Sequence, residues 1–133
     1  MVRLGSKMPI LHIRALPQKS PERVQPALKK TCAAIAEVYG CKPEQVWATW
    51  EEIKPGLYVE GVTDADTQPE FTHPPIAQLT CFEGKSSDDI ERVLSVAASS
   101  LSNELGIGNN IFMTYIEAKS GQVIAGNGIV RKK

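Results

Sequence analysis

Displaced by 66 residues, the chain falls on itself: residues 9–51 lie on residues 75–117 without a gap. Pro9-Ile10 meets Pro75-Ile76, Lys19-Ser20 meets Lys85-Ser86, Leu28 meets Leu94, Gly40 meets Gly106 and Glu51 meets Glu117. Conservative pairs such as Ile13 with Leu79, Val24 with Ile90 and Ile35 with Leu101 lie between them. The identities fall on structural punctuation, so each copy reads as one supersecondary unit that needs its neighbour to bury a core. The chain divides into a leader (1–8) and one domain (9–133). The domain holds a first repeat (9–61), a connector (62–74) and a second repeat (75–133).

Each copy reads as strand, helix, strand. Ile10, Ile13, Ala15 and Leu16 make a short apolar strand, matched by residues 76–82. Ser20 has the character of a helix N-cap, with Pro21 at the first helical position, where a missing N–H costs nothing. In the second copy Ser86 or Ser87 caps, and Asp88, Asp89 and Glu91 suit the positive end of the helix dipole. Ile90, Val93, Leu94, Ala97, Ala98, Leu101 and Leu105 form one apolar stripe. Val24, Leu28, Cys32, Ile35, Ala36 and Tyr39 repeat that rhythm in the first copy. Pro26 interrupts it and predicts a kink or a distorted first turn. Gly40 and Gly106 stand where a left-handed C-terminal residue belongs.

A β-rich run follows each helix: residues 45–53, with Trp47 and Trp50, and residues 111–116, with Phe112 and Tyr115. Trp47 and Trp50 lie an odd number apart, so they take opposite faces of a strand. One packs under a helix and the other into a sheet-to-sheet interface. A strand-helix-strand unit makes a parallel pair with a right-handed crossover. The expected fold is therefore α/β (α+β): two β-α-β repeats in a four-stranded mixed sheet, with both helices on one face. In the connector, residues 57–59 read as a small strand and 63–72 as polar loop. Residues 122–130 read as a short strand and a turn at Gly126-Asn127-Gly128. One sheet face stays without a helix, and self-association is the simplest cover for it.

Composition narrows the partners. Fifteen Lys plus Arg balance fifteen Asp plus Glu, so no global field points to nucleic acid or to an anionic membrane. Apolar runs of only a few residues leave no membrane span. Residues 1–7 lack the apolar centre of a signal peptide. The three cysteines, Cys32, Cys41 and Cys81, lack metal-ligand spacing even with His12 and His73 included. They suit free thiols in a reducing compartment, so no metal or cofactor and a cytoplasmic location are expected.

Two stretches resemble a known family. Pro75-Ile76-Ala77-Gln78-Leu79, followed by Glu83-Gly84-Lys85-Ser86, is similar to the start of a 4-oxalocrotonate tautomerase subunit. Met8-Pro9-Ile10-Leu11-His12-Ile13 resembles the Met-Pro start of the tautomerase superfamily, whose longer members fuse two β-α-β units. The resemblance implies a homotrimer with sites at subunit borders, acting on a small-molecule carboxylate. It also implies Pro9 as the catalytic residue, its secondary amine moving a proton in keto–enol conversion. A free α-amine titrates near 8, and a less polar pocket lowers it toward neutrality. That chemistry requires a chain beginning at Pro9, because residues 1–8 turn the ring nitrogen into an amide. The family's carboxylate-binding basic residue falls on Lys85 and Lys19, a point charge in place of a guanidinium fork. Its second arginine falls on Phe112 or Met113 and on Val46 or Trp47, none of them basic, which departs from a dicarboxylate site. Its late aromatic wall has its nearest match in Tyr58 and, in the second copy, Val123.

Each of these residues also has a plain structural reading. Proline suits the start of an edge strand. Pro75, preceded by Pro74, reads as a structural relic of duplication. Lys19 and Lys85 suit solvated positions before a helix, Arg14 a charged surface and His12 an exposed strand position. The competing function is a non-enzymatic homotrimeric interaction or scaffold protein of the same fold.

Overall fold

The computed structural model describes residues 8–124 and 128–132. The leader up to residue 7 and most of the expected tail turn, residues 125–127, lie outside the described residues. Strand β1 (Ile10–Ala15) leads through a 3₁₀ turn (Pro21–Arg23) into helix α1 (Val24–Tyr39). A second 3₁₀ turn (Pro43–Gln45) precedes β2 (Trp47–Glu52), and the connector forms a small hairpin of β3 (Val59–Glu60) and β4 (Thr63–Asp64). The second repeat supplies β5 (Ile76–Phe82), α2 (Ser87–Leu105) and β6 (Phe112–Ala118). The main sheet runs β2-β1-β5-β6. Its outer pairs are parallel and its central pair, β1 with β5, is antiparallel. This is the expected four-stranded mixed sheet.

Alternation in the strands decides which face the helices cover. Leu11, Ile13 and Ala15 of β1 and Ala77, Leu79 and Cys81 of β5 are buried, in one cluster with Ala27 and Ile35 of α1 and Val93, Ala97 and Leu101 of α2. Both helices therefore lie on that face. At about 25 cal/mol per Å² of apolar surface, this shared core is the main stabilising term. The buried side of α1 includes Ala27 and Thr31, while Val24, Leu28 and Cys32 of the expected stripe are only partly covered. Small residues win there because α1 packs against α2. The Thr31 hydroxyl reaches Ser100 Oγ at 3.1 Å, so neither polar group is left unpaired between the helices.

The helix ends follow the sequence signals. Gly40 (φ 77°) and Gly106 (φ 73°) close α1 and α2 in the left-handed region. Ser86 caps α2, its Oγ accepting from Asp89 N–H at 3.2 Å. Ser20 precedes the 3₁₀ turn but makes no side-chain cap bond. Pro26 is the third residue of α1, inside the first turn, where no backbone partner is lost. From there α1 runs on to Tyr39 as one element.

The duplication needs one correction. Trp47 N–H donates to Pro9 C=O and Phe112 N–H to Pro75 C=O, both at 3.0 Å, so Trp47 is the counterpart of Phe112. Those two are 65 apart, not 66. The first copy carries one extra residue between helix and strand, beside the Pro43–Gln45 turn. The slip inverts side-chain facing in β6 relative to the gapless alignment. Trp50 thus matches Tyr115 on the helix face, not Ile116, and Glu51 matches Ile116, not Glu117. Trp50 packs on the core and Trp47 stands on the open face, 46% exposed. Phe112 and Ile116 share that open face and are exposed as well. The connector differs from its reading too: β3 begins at Val59 rather than residue 57, and Thr63–Asp64 pairs with it across Gly61, whose φ is 64°.

Candidate active site

Pro9 stands immediately before β1 with its side chain fully buried. In the β1–β5 register Ile10 faces Thr80, so the next step places Pro9 across from Cys81. Because β5 runs antiparallel to β1, the turn after β5 returns to this same end and carries Lys85. Lys85 Nζ sits 4.2 Å from the centroid of the Tyr39 ring, a cation–π contact with the last residue of α1. Tyr115 faces Leu79 from β6, on the same side of the sheet as Cys81.

Two phenols and a thiol thus meet beside Pro9. Burial, and then the neighbouring Cys81, push the Tyr39 and Tyr115 hydroxyls well above the ordinary tyrosine range. Burial likewise raises the Cys81 thiol, outweighing the hydroxyls of Tyr115 and Tyr39 and the Lys85 charge, which pull it down. All three stay protonated near neutrality, so Cys81 is no thiolate nucleophile and the phenols are hydrogen-bond donors. Tyr115 Oη is buried, and among the described residues its approach to the Cys81 thiol, a weak acceptor, falls short of a well-formed hydrogen bond. On the open side of the sheet a hollow of about 230 Å³ adjoins this end, walled by Met8, Ile10, Trp47, Phe82, Val123 and Ile124. Val123, the second-copy match to the aromatic wall, therefore lies at the Pro9 end.

Lys19 and Tyr58 belong to the other end. Lys19 follows the C-terminal end of β1. Tyr58 donates from its hydroxyl to Pro74 C=O at 2.7 Å and packs edge-on against the buried His73, with centroids 5.0 Å apart. Within one chain, Pro9 and Lys85 are brought together and Lys19 and Tyr58 are not brought to them. Antiparallel pairing of the copies is the reason: equivalent residues land at opposite ends.

The Pro75 counterpart is plugged. His73 Nε2 lies 2.8 Å from Thr63 C=O, and a carbonyl only accepts, so this nitrogen carries the proton. His73 N–H donates to Glu60 Oε2 at 2.5 Å. Gln68 donates through Nε2 to His73 C=O at 3.0 Å, and its backbone N–H bonds Pro17 C=O at 2.8 Å. The connector is tied over Pro74-Pro75, and Pro75 is fully buried.

Among the described residues no group of three or more His, Cys, Asp or Glu side chains is placed to hold a metal ion. Among them too, no helix is long and apolar enough to cross a membrane. Tyr39 and Tyr115 are the site residues that sequence reasoning missed. Tyr39 read as one more member of an apolar stripe. The gapless alignment left Tyr115 on the wrong face, and the register correction is the signal that finds it.

A four-stranded sheet of two fused β-α-β units, backed by two helices, defines the double-length tautomerase fold. No protein-family model matches the sequence, and no curated protein matches it. Solved structures do match in shape. Pt0534, inactivated by 2-oxo-3-pentynoate, superposes with a TM-score of 0.79 at 15% identity, covering 91% of this chain and 94% of that one. Native fused 4-OT gives 0.78 at 13%, with the same coverages. Malonate semialdehyde decarboxylase gives 0.69 at 13%, covering 90% of this chain and 92% of its own.

Proposed function

We propose that the chain, once it begins at Pro9, moves a proton in a small keto/enol carboxylic acid. The observation that carries this reading is the convergence of Pro9, Lys85 and two protonated phenols at one end of the sheet. Lys85 holds the substrate carboxylate as a point charge. The free Pro9 nitrogen takes the enol proton and returns it to the adjacent carbon. Tyr115, which among the described residues meets only the weak acceptor Cys81 without a well-formed hydrogen bond, donates to the oxygen on which negative charge develops. Lys19 and Tyr58 have no part in that site within one chain. Fused 4-OT forms a symmetric trimer, and we extend that assembly to this chain, with the open sheet face turned inward.

Two forms of the protein decide the mechanism: one starting at Pro9 and one keeping residues 1–8. The base mechanism requires activity on enol pyruvates from the first and almost none from the second, with Pro9→Ala losing a large factor in kcat. Equal rates from both forms remove Pro9 as the base. The second reading is a trimeric scaffold without catalysis, favoured by the missing strand arginines at Phe112, Met113, Val46 and Trp47. Inactivity of both forms across a panel of enol acids selects it.

A further inference from the structure

At the end of the molecule away from Pro9 lies a hollow of about 290 Å³ between the start of α1 and the end of α2. Its lining includes Gln18, Lys19, Ser20, Arg23, Gln68 and Glu70. Among the described residues neither Lys19 nor Arg23 makes an ion pair. The Ser20 hydroxyl makes no cap bond and is available to a ligand. The Arg23 guanidinium lies directly against Gly106, where any side chain would collide with it. Gly106 follows the C-terminal carbonyls of α2, whose partial negative charge favours a cation there. Beneath, the Gln18 and Gln68 side chains are buried and their amides are tied to backbone carbonyls. Among the described residues the two charges above this floor make no ion pair with a carboxylate.

We propose that this hollow binds a small phosphate-bearing molecule, independently of any chemistry at Pro9. The guanidinium of Arg23 offers a planar fork to two phosphate oxygens, and Lys19 adds a second charge. The two cations favour a doubly charged phosphate over a singly charged carboxylate. The volume leaves room for a few carbons beside the phosphate. Pro75, buried under the connector and acylated by Pro74, supplies no base, so the site binds without reacting.

The test is titration of the full chain with inorganic phosphate, against acetate at matched ionic strength, followed by calorimetry and by amide NMR. We expect saturable phosphate binding, with shifts confined to residues 18–23, 68–70 and 105–107, and at least tenfold weaker acetate binding. Lys19→Ala with Arg23→Ala should abolish it, while Lys85→Ala leaves it unchanged. The NMR map on the unsubstituted chain decides the matter even where the double variant folds poorly. No saturable phosphate binding, shifts elsewhere, acetate binding as tight as phosphate, survival in the double variant, or loss in Lys85→Ala overturns the proposal.

Discussion

Lys85 lies over the face of Tyr39, its ammonium 4.2 Å from the ring centroid. The ring joins the turn after β5 to the end of α1 and limits where the charge can go. Lys85→Met removes the charge and keeps the stem, so the fold loses only about 0.5–1 kcal/mol of cation–π attraction. In the form starting at Pro9, KM for a monocarboxylate should rise about tenfold with kcat less affected. Steady-state kinetics check this, and Lys85→Arg should restore most of the affinity.

Tyr115→Phe separates catalysis from stability. The hydroxyl is buried with no well-formed hydrogen bond among the described residues, so deleting it should leave the melting temperature unchanged or higher. If the hydroxyl stabilises a developing oxyanion, kcat should fall by about 10²-fold. A variant that melts earlier and keeps its rate contradicts both halves.

The two raised phenols predict an alkaline limb in stability. In the unfolded chain both titrate near 10, while in the fold burial holds them protonated to higher pH. Above pH 10 the unfolded state therefore binds fewer protons than the native state, and stability falls as pH rises. Their contribution is fully present below that pH. Denaturant unfolding between pH 8 and 11 should show the decline, and the Tyr39→Phe/Tyr115→Phe pair should flatten it.

His73→Ala should be among the most destabilising single changes outside the helix-covered core. The side chain is 2% exposed, bonded at Nε2 to Thr63 and packed on Tyr58, and its φ of 47° is a left-handed conformation costly for a non-glycine residue. Removing it leaves a cavity and an unpaired carbonyl, about 2–4 kcal/mol together. Chemical denaturation measures the loss, and limited proteolysis should cut first within residues 57–72.

Trp47→Glu tests the open face. Trp47, Phe112 and Ile116 are exposed there. A trimer of 14.5 kDa chains, about 43 kDa, should fall to single chains when a charge enters that patch. Light scattering reads the change directly, and a monomeric parent protein dismisses the assembly.

Much of this fold was legible in the sequence, because its signals are local. Gly40, Gly106 and Ser86 each act within one turn of chain, and the strand-helix-strand rhythm is a matter of periods. The single extra residue before β2 was not legible. The alignment stayed in phase through Gly40 and Gly106, and a two-residue period looks plausible in either phase. Nor could Lys19 and Lys85 be sorted, since only the antiparallel β1–β5 pairing sends them to opposite ends. The tie between Gln68 and His73 crosses a connector whose residues read as polar loop.

The 65-residue spacing of Trp47 and Phe112 also bears on how such a gene can evolve. Because the extra residue lies in the turn and not in the strand, Trp50 and Tyr115 keep the same facing, so the two halves differ in length there without exchanging core for surface. An insertion or deletion inside either strand is not absorbed in this way: it turns every following side chain to the opposite face. Drift in length between the halves is therefore tolerated at the helix-to-strand turns and excluded from the strands.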